Sequence, residues 1–176
     1  AALARAGLAS QAVSRSRDDG LTLREVWVTA AVRCAPPANR PLPRERDTCL
    51  PWTARELELL VGVRVLVCLG AFAWDAALRL TAPTSTAPRT RVARVPFAHG
   101  AELVRSGYTL LGCDHPSQQN TFTGKLTEAM LDTVLARARE LALLAPSGRA
   151  RGGRRGADAG GTGRPGSDGA ALEPCD

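Results

Sequence analysis

Apolar and polar positions along the chain alternate between short continuous runs and helix-periodic stretches. Arg64–Leu69 is almost unbroken in its apolar character, the pattern of a strand buried on both faces of a parallel sheet. Gly70 interrupts it, and Ala71–Leu80 follows as a helix. Tyr108–Cys113 reads as a second strand and runs into the polar stretch GCDHPSQQNTFTGKLT. From Glu128 onward, Met130, Leu131, Val134, Leu135, Ala138 and Leu141 recur at the spacing of one helix face. Thr127 is placed to cap that helix, and Leu126 to pack on Leu131 as a hydrophobic staple. Upstream, residues 2–9 resemble the end of a helix, and Thr53–Leu60 reads as a short one. Glu25–Cys34 is rich in β-branched residues, lies between Gly20 and a Pro-Pro pair, and is expected to be a strand. A Pro/Thr-rich loop is expected over Thr81–Thr90 and a weak strand over Arg91–Val95. Strands alternating with helices predict an α/β sandwich.

The pattern stops near residue 145. Residues 1–145 form the expected domain, whereas 146–176 are Gly/Arg/Ala/Pro-rich and too poor in apolar residues to offset chain entropy, so they are expected to be a disordered tail. The tail's RARGGRRG resembles an RNA-binding RGG segment, but its composition favours a solvated low-complexity tail. The chain's net charge is +6, and removing the tail's five arginines and four acids leaves the body at +5. Lys125 is the only lysine, so the charge is carried by arginine, which suits bidentate phosphate contacts. Ala-, Gly-, Arg- and Pro-rich chains also follow from GC-rich codons, so charge alone does not single out nucleic acid.

No membrane span is predicted, because the longest apolar run, Val65–Trp74, is too short and contains a glycine. The N-terminus lacks the basic start and apolar core of a signal peptide. Five irregularly spaced cysteines argue against a secreted disulfide framework and for a reducing compartment.

Two groups of residues carry candidate chemistry. Cys34 and Cys49 flank a proline-stiffened loop, RCAPPANRPLPRERDTC, and thiolates so separated suit an iron–sulfur cluster or zinc, although two unrelated thiols fit equally. Cys68 falls inside an apolar strand and reads as core. The second group is the polar stretch after Tyr108–Cys113. Pro116 biases His115 toward an extended conformation at a strand's C-terminal end, where open α/β sheets bind ligands. A neutral imidazole there can donate to a developing anion. Ser117 lies in no GxSxG elbow, which argues against serine-hydrolase chemistry. His99, in PFAHG, is the weaker of the two histidines as a candidate.

Taken together, VTAAVRCAPPANRP, ERDTCLPW, LGAFAWDAAL, PFAHGAE and HPSQQNTFTGKLTEAMLDTV resemble, in order and spacing over residues 2–142, the iron–sulfur uracil-DNA glycosylases, and within them the bacterial type 5 branch. The resemblance implies a three-layer α/β/α sandwich around a short, mostly parallel sheet. It also implies a DNA partner, a monomeric cytoplasmic and nucleoid-associated protein, and hydrolysis of the N-glycosidic bond of a uracil, or another deaminated base, flipped out of the stack. On that resemblance His115 donates to the departing base, Ser117 contacts a phosphate, and Gln118, Gln119 and Asn120 lie against the opened duplex. Asn39 corresponds to an active-site asparagine near the flipped base. Cys34 and Cys49 correspond to two of four ligands of a structural [4Fe–4S] cluster.

The chain also departs from the family. Its N-terminal section, with a CxxC ligand pair, a first strand and a Gly-rich loop bearing an aspartate, has no counterpart here, and the chain begins with Ala. The expectation is an N-terminally truncated chain, inactive as it stands. Asp114 replaces the usual tyrosine and is expected to raise the pKa of His115. Cys113 replaces a serine-like residue. Two alternatives remain: a catalytically dead DNA-binding remnant, and a small zinc module built on Cys34, Cys49 and His99.

Overall fold

The computed structural model describes residues 1–82 and 95–144. In chain order they form α1 (Ala2–Arg5), a 3-10 turn (Pro37–Asn39), α2 (Pro43–Leu59), β1 (Val65–Leu69), α3 (Ala71–Leu80), β2 (Glu102–Arg105), β3 (Tyr108–Cys113), α4 (Gln118–Phe122) and α5 (Glu128–Leu144). The expected tail, and all of Arg91–Val95 except Val95, lie outside these residues.

Among the described residues one sheet forms, in the order β1-β3-β2. β1 runs parallel to β3, with Leu66 opposite Leu110, and β2 runs antiparallel, with Leu103 opposite Leu110. β3 is therefore central. Its side chains alternate between faces, as a strand's must. Tyr108 and Leu110 join Cys68, Trp74, Ala77 and Leu78 in one core, and Leu111 and Cys113 join Leu126, Val134 and Ala138 in the other. The first core is closed by α3 and the second by α5, which gives the expected three layers, helix on sheet on helix. Burying Leu110 and Leu111, at 0% and 1% exposure, contributes about 1.5–3 kcal/mol each.

Among the described residues the sheet holds one parallel and one antiparallel pair, Glu102–Arg105 returning antiparallel through a two-residue turn. Ser106 and Gly107 both have positive φ (49° and 79°), the signature of a hairpin turn matched to strand twist. β1 is half-buried, with Leu66 against one core and Val65 and Val67 against the other, rather than enclosed as expected; among the described residues the strand buried on both faces is β3. Glu25–Cys34 forms no strand: β-branched propensity needs a ladder partner, and this segment is instead tied by side chains to α2. Thr29 Oγ1 donates to Glu56 at 2.6 Å, and Arg33 pairs with the same carboxylate at 2.7 Å.

Helix α2 also begins earlier than Thr53. Pro43 occupies its first turn, where no N–H is needed, and the Glu45 carboxylate accepts the Leu42 N–H at 2.7 Å. Pro51 sits inside the helix and removes one backbone donor. Packing compensates: Arg46, Cys49 and Thr53 form the buried face of α2. The Arg46 guanidinium lies 5.6 Å from the Phe72 ring centre and pairs with Asp47 and Asp75, joining α2 to α3. At the other end of the fold, Arg5 of α1 grips Asp132 of α5 through two bonds of 2.8 and 3.0 Å. The Thr127 cap is as expected, its hydroxyl accepting the Met130 N–H at 3.2 Å.

Candidate active site

The site forms where β3 ends. The last β3 carbonyl, of Cys113, accepts the Gly70 N–H at 2.7 Å, so the start of α3 is bonded to the end of β3. Gly70 has φ +89° and ψ 166°, a conformation open essentially to glycine alone. A Cβ built on it would meet the His115 Cβ at 3.3 Å. On the other side, Gly100 N–H donates to Gly112 O, and Gly112 N–H donates to Ala101 O, both at 2.8 Å. Gly112 approaches the Ala98 carbonyl so closely that a Cβ there would overlap it.

Beyond Cys113 the chain leaves the sheet with Asp114 buried and His115 exposed. The His115 carbonyl then organises the loop. It accepts the Ser117 N–H at 2.8 Å and the Asn120 side-chain amide at 2.9 Å. Ser117 caps α4, its hydroxyl accepting the Asn120 N–H at 3.4 Å. Gln118 and Gln119 project into solvent. Of the amide run, these two are thus presented outward, and Asn120 spends its donor on the loop itself.

Asp114 turns its carboxylate, 12% exposed, toward His99 at 3.7 Å and Lys125 at 3.6 Å. Its backbone N–H donates to His99 Nδ1 at 3.1 Å. Cys113 is fully enclosed, and burial, with the adjacent Asp114 charge, pushes its thiol up to about 11. Burial pushes the Cys68 thiol to about 12, so both are core residues and poor nucleophiles at neutral pH. A cleft of about 450 Å³ behind the loop is lined by Ala1, Arg5, Pro116, Thr121 and Leu131 among others; His115 does not line it.

Asn39 ends the 3-10 turn after Ala38, which has φ 53°. Cys34 is exposed and Cys49 is buried on α2; both are free thiols. No group of three or more His, Cys, Asp and Glu among the described residues is arranged to hold a metal ion. Cys34 and Cys49 therefore do not compose a four-ligand set by themselves, and no chemical step is derived through a cluster. The zinc alternative loses its third donor, because His99 Nδ1 is engaged by the Asp114 N–H.

Three features of the site escape a reading of the sequence. Gly70 reads only as a turn, although its φ and its contact with His115 make it part of the site. His99 is a member of the loop's support. Phe122, on α4 beside the amides, is 84% exposed, and its signal was present as an aromatic inside a polar run.

A strand-end histidine, its proline lock and a capped helix of amides stand together at the C-terminal end of the central strand of an α/β sandwich, the place where such sheets present ligand sites. The sequence model of the Uracil DNA glycosylase superfamily matches residues 1–139, and the chain belongs to that superfamily. Among curated proteins it is similar to the type-5 uracil-DNA glycosylase of Mycobacterium bovis, 49% identical over 144 residues that make up 81% of this chain and 52% of that protein. The type-5 uracil-DNA glycosylase of Thermus thermophilus is 46% identical over 138 residues, covering 78% of this chain and 59% of the relative. That of Pyrobaculum aerophilum is 41% identical over 132 residues, covering 75% and 54%. The chain thus spans about half the length of the curated relatives it matches.

Proposed function

We propose that the protein acts in base-excision DNA repair as a glycosylase that hydrolyses the N-glycosidic bond of uracil, or another deaminated base, in DNA. The observation that carries this reading is the exposed His115 imidazole, held at the C-terminal end of the central strand and followed at once by a capped helix of amides. Uracil departs as an anion from an oxocarbenium-like sugar. A donor preorganised toward the base oxygen stabilises charge that exists only in the transition state, and so lowers the barrier. Fixing the His115 backbone through Gly70, Ser117 and Asn120 reduces the reorganisation this requires.

The remaining roles follow from the same reading. Ser117 and the start of α4 meet a phosphate, and Asn39 lies near the flipped base. Gln118 and Gln119, with Phe122, face the opened duplex, where amides bond base edges and an aromatic ring stacks. Cys34 and Cys49 contribute two of the four ligands of a structural [4Fe–4S] cluster in the complete site. No helix among the described residues is long and apolar enough to cross a membrane. A monomeric, nucleoid-associated cytoplasmic protein fits a DNA substrate and the +6 charge.

The test is release of uracil from a uracil-containing oligonucleotide, by this chain and by the open reading frame that contains it. Abasic product is expected from the latter; its absence there overturns the reading. A second reading is favoured by the net charge of +6, carried almost wholly by arginine: a chain that binds DNA without excising a base. It predicts salt-dependent binding with no preference for uracil, and a uracil-dependent affinity removes it.

A further inference from the structure

The end of β3 leaves one backbone donor without a ladder partner. Pairing with β1 finishes at Leu69–Cys113, and pairing with β2 covers only Tyr108–Leu111. The next amide, of Asp114, belongs to a buried residue. Left unpaired, it would lose its hydration with no hydrogen bond in return. His99 Nδ1 receives it at 3.1 Å, from a residue 15 positions earlier in the chain. Only an unprotonated nitrogen can accept, so the neutral ring carries its proton on Nε2.

His99 is itself held rigidly. Its segment is bonded to Gly112 on both sides, through Gly100 and Ala101. Just upstream, Phe97 meets Trp74 edge-on at 6.3 Å, and Trp74 Nε1 donates to the Val95 carbonyl at 3.0 Å. The ring is thus delivered to Asp114 by a segment anchored to the sheet and to α3. The peptide it receives is the one that joins Asp114 to the strand, one residue before His115. Gly70 bonds the preceding carbonyl and packs against the His115 Cβ. One acceptor and one donor, from separate parts of the chain, therefore fix the direction in which the strand hands over its histidine.

We infer that His99 is a positioning residue for His115: by accepting the Asp114 N–H it sets the orientation of the His115 loop. The inference rests on the proposed glycosylase reading for its catalytic consequence and on geometry alone for its structural one. Its chemistry is specific. An asparagine at position 99 carries its oxygen on the same Cγ that bears Nδ1 and can accept the same N–H. A glutamine places its oxygen one bond further out, and a leucine offers no acceptor.

The experiment has two arms, both on the product of the open reading frame that contains this chain. In the first, imidazole nitrogen NMR is expected to find His99 in the Nε2–H form, with Nδ1 hydrogen-bonded to the Asp114 amide. The His115 ring resonances should shift in His99→Leu and His99→Gln and return to wild-type positions in His99→Asn. Circular dichroism confirms that each variant is folded, and the Asn/Gln comparison decides the matter if His99→Leu does not fold. In the second arm, single-turnover excision should fall about 10- to 100-fold in His99→Gln, with DNA affinity unchanged and most of the rate restored in His99→Asn, as a displaced catalytic group predicts. An Nδ1–H tautomer, or His115 resonances indifferent to His99→Gln, overturns the inference whether or not the protein excises uracil. If the first arm comes out as expected and wild type excises nothing, the glycosylase reading falls and the positioning role stands.

Discussion

A Cβ built on Gly70, whose φ is +89°, would stand 3.3 Å from the His115 Cβ, so a side chain there both strains the backbone and presses on His115. The contact joins the N-terminus of α3 to the loop that follows β3, and it couples backbone conformation to the site.

Gly70→Ala therefore tests both consequences. At φ +89° and ψ 166° an alanine is strained by about 1–3 kcal/mol, and its methyl lies 3.3 Å from the His115 Cβ. Denaturant unfolding should report a loss of that size. The same variant should displace His115, which is read as a shift of its imidazole resonances under folded conditions. A wild-type midpoint would show that the turn relaxes at no cost.

His115→Ala separates chemistry from binding. If the imidazole stabilises the departing base, its removal lowers the single-turnover rate of the complete enzyme by on the order of 100- to 1000-fold. Affinity for uracil-containing DNA should change little, because the interaction strengthens only as charge develops. A variant that loses affinity and keeps its rate would assign His115 to substrate binding instead.

What the sequence made legible was local. β1, α3, β3 and α5 were readable because apolar runs and helix periodicity lie within each segment, with Gly70 and Thr127 marking the ends. β2 was not readable: in Glu102–Arg105 exposed and half-buried residues alternate over only four positions, and the strand exists because the Ser106–Gly107 turn returns it to β3. Glu25–Cys34 misled for the opposite reason, since its strand propensity finds no ladder partner among the described residues and its side chains tie it to α2 instead. The same division holds at the site. His115 and Ser117 flank Pro116 and were legible as a proline-locked histidine and a helix cap. The support from His99 crosses 15 residues and depends on how closely Gly112 approaches Ala98, which no local pattern encodes.

The segment bearing Cys34 should detach from α2 in acid. The Thr29 hydroxyl, and then the Arg33 guanidinium, hold Glu56 below its ordinary value of 4.5. A depressed folded pKa contributes stability that is complete above the unfolded value and is lost as pH falls through the folded one. With Arg33 40% exposed, solvent screening limits the ion pair to about 0.2–1 kcal/mol, so the change is local rather than global. Trp27, whose side chain also bonds Glu56, is the reporter. Its fluorescence should change below pH 4.5, and Glu56→Gln should abolish that step. A Trp27→Phe control assigns the signal, and a step that persists in Glu56→Gln would place its origin elsewhere.

Phe122 offers the sharpest distinction between a DNA surface and a merely basic one. An aromatic side chain 84% exposed beside Gln118 and Gln119 gains little in the free protein, whereas stacking on a base is worth about 1–3 kcal/mol. Phe122→Ala should weaken binding to DNA containing an abasic or mismatched site by that amount, with folding stability unchanged. The dependence of affinity on salt should keep its slope, because no phosphate contact is removed, whereas replacing an arginine that touches the backbone would lower the slope by about one. Equal affinities for wild type and Phe122→Ala on such DNA would take the Phe122 ring out of the interface.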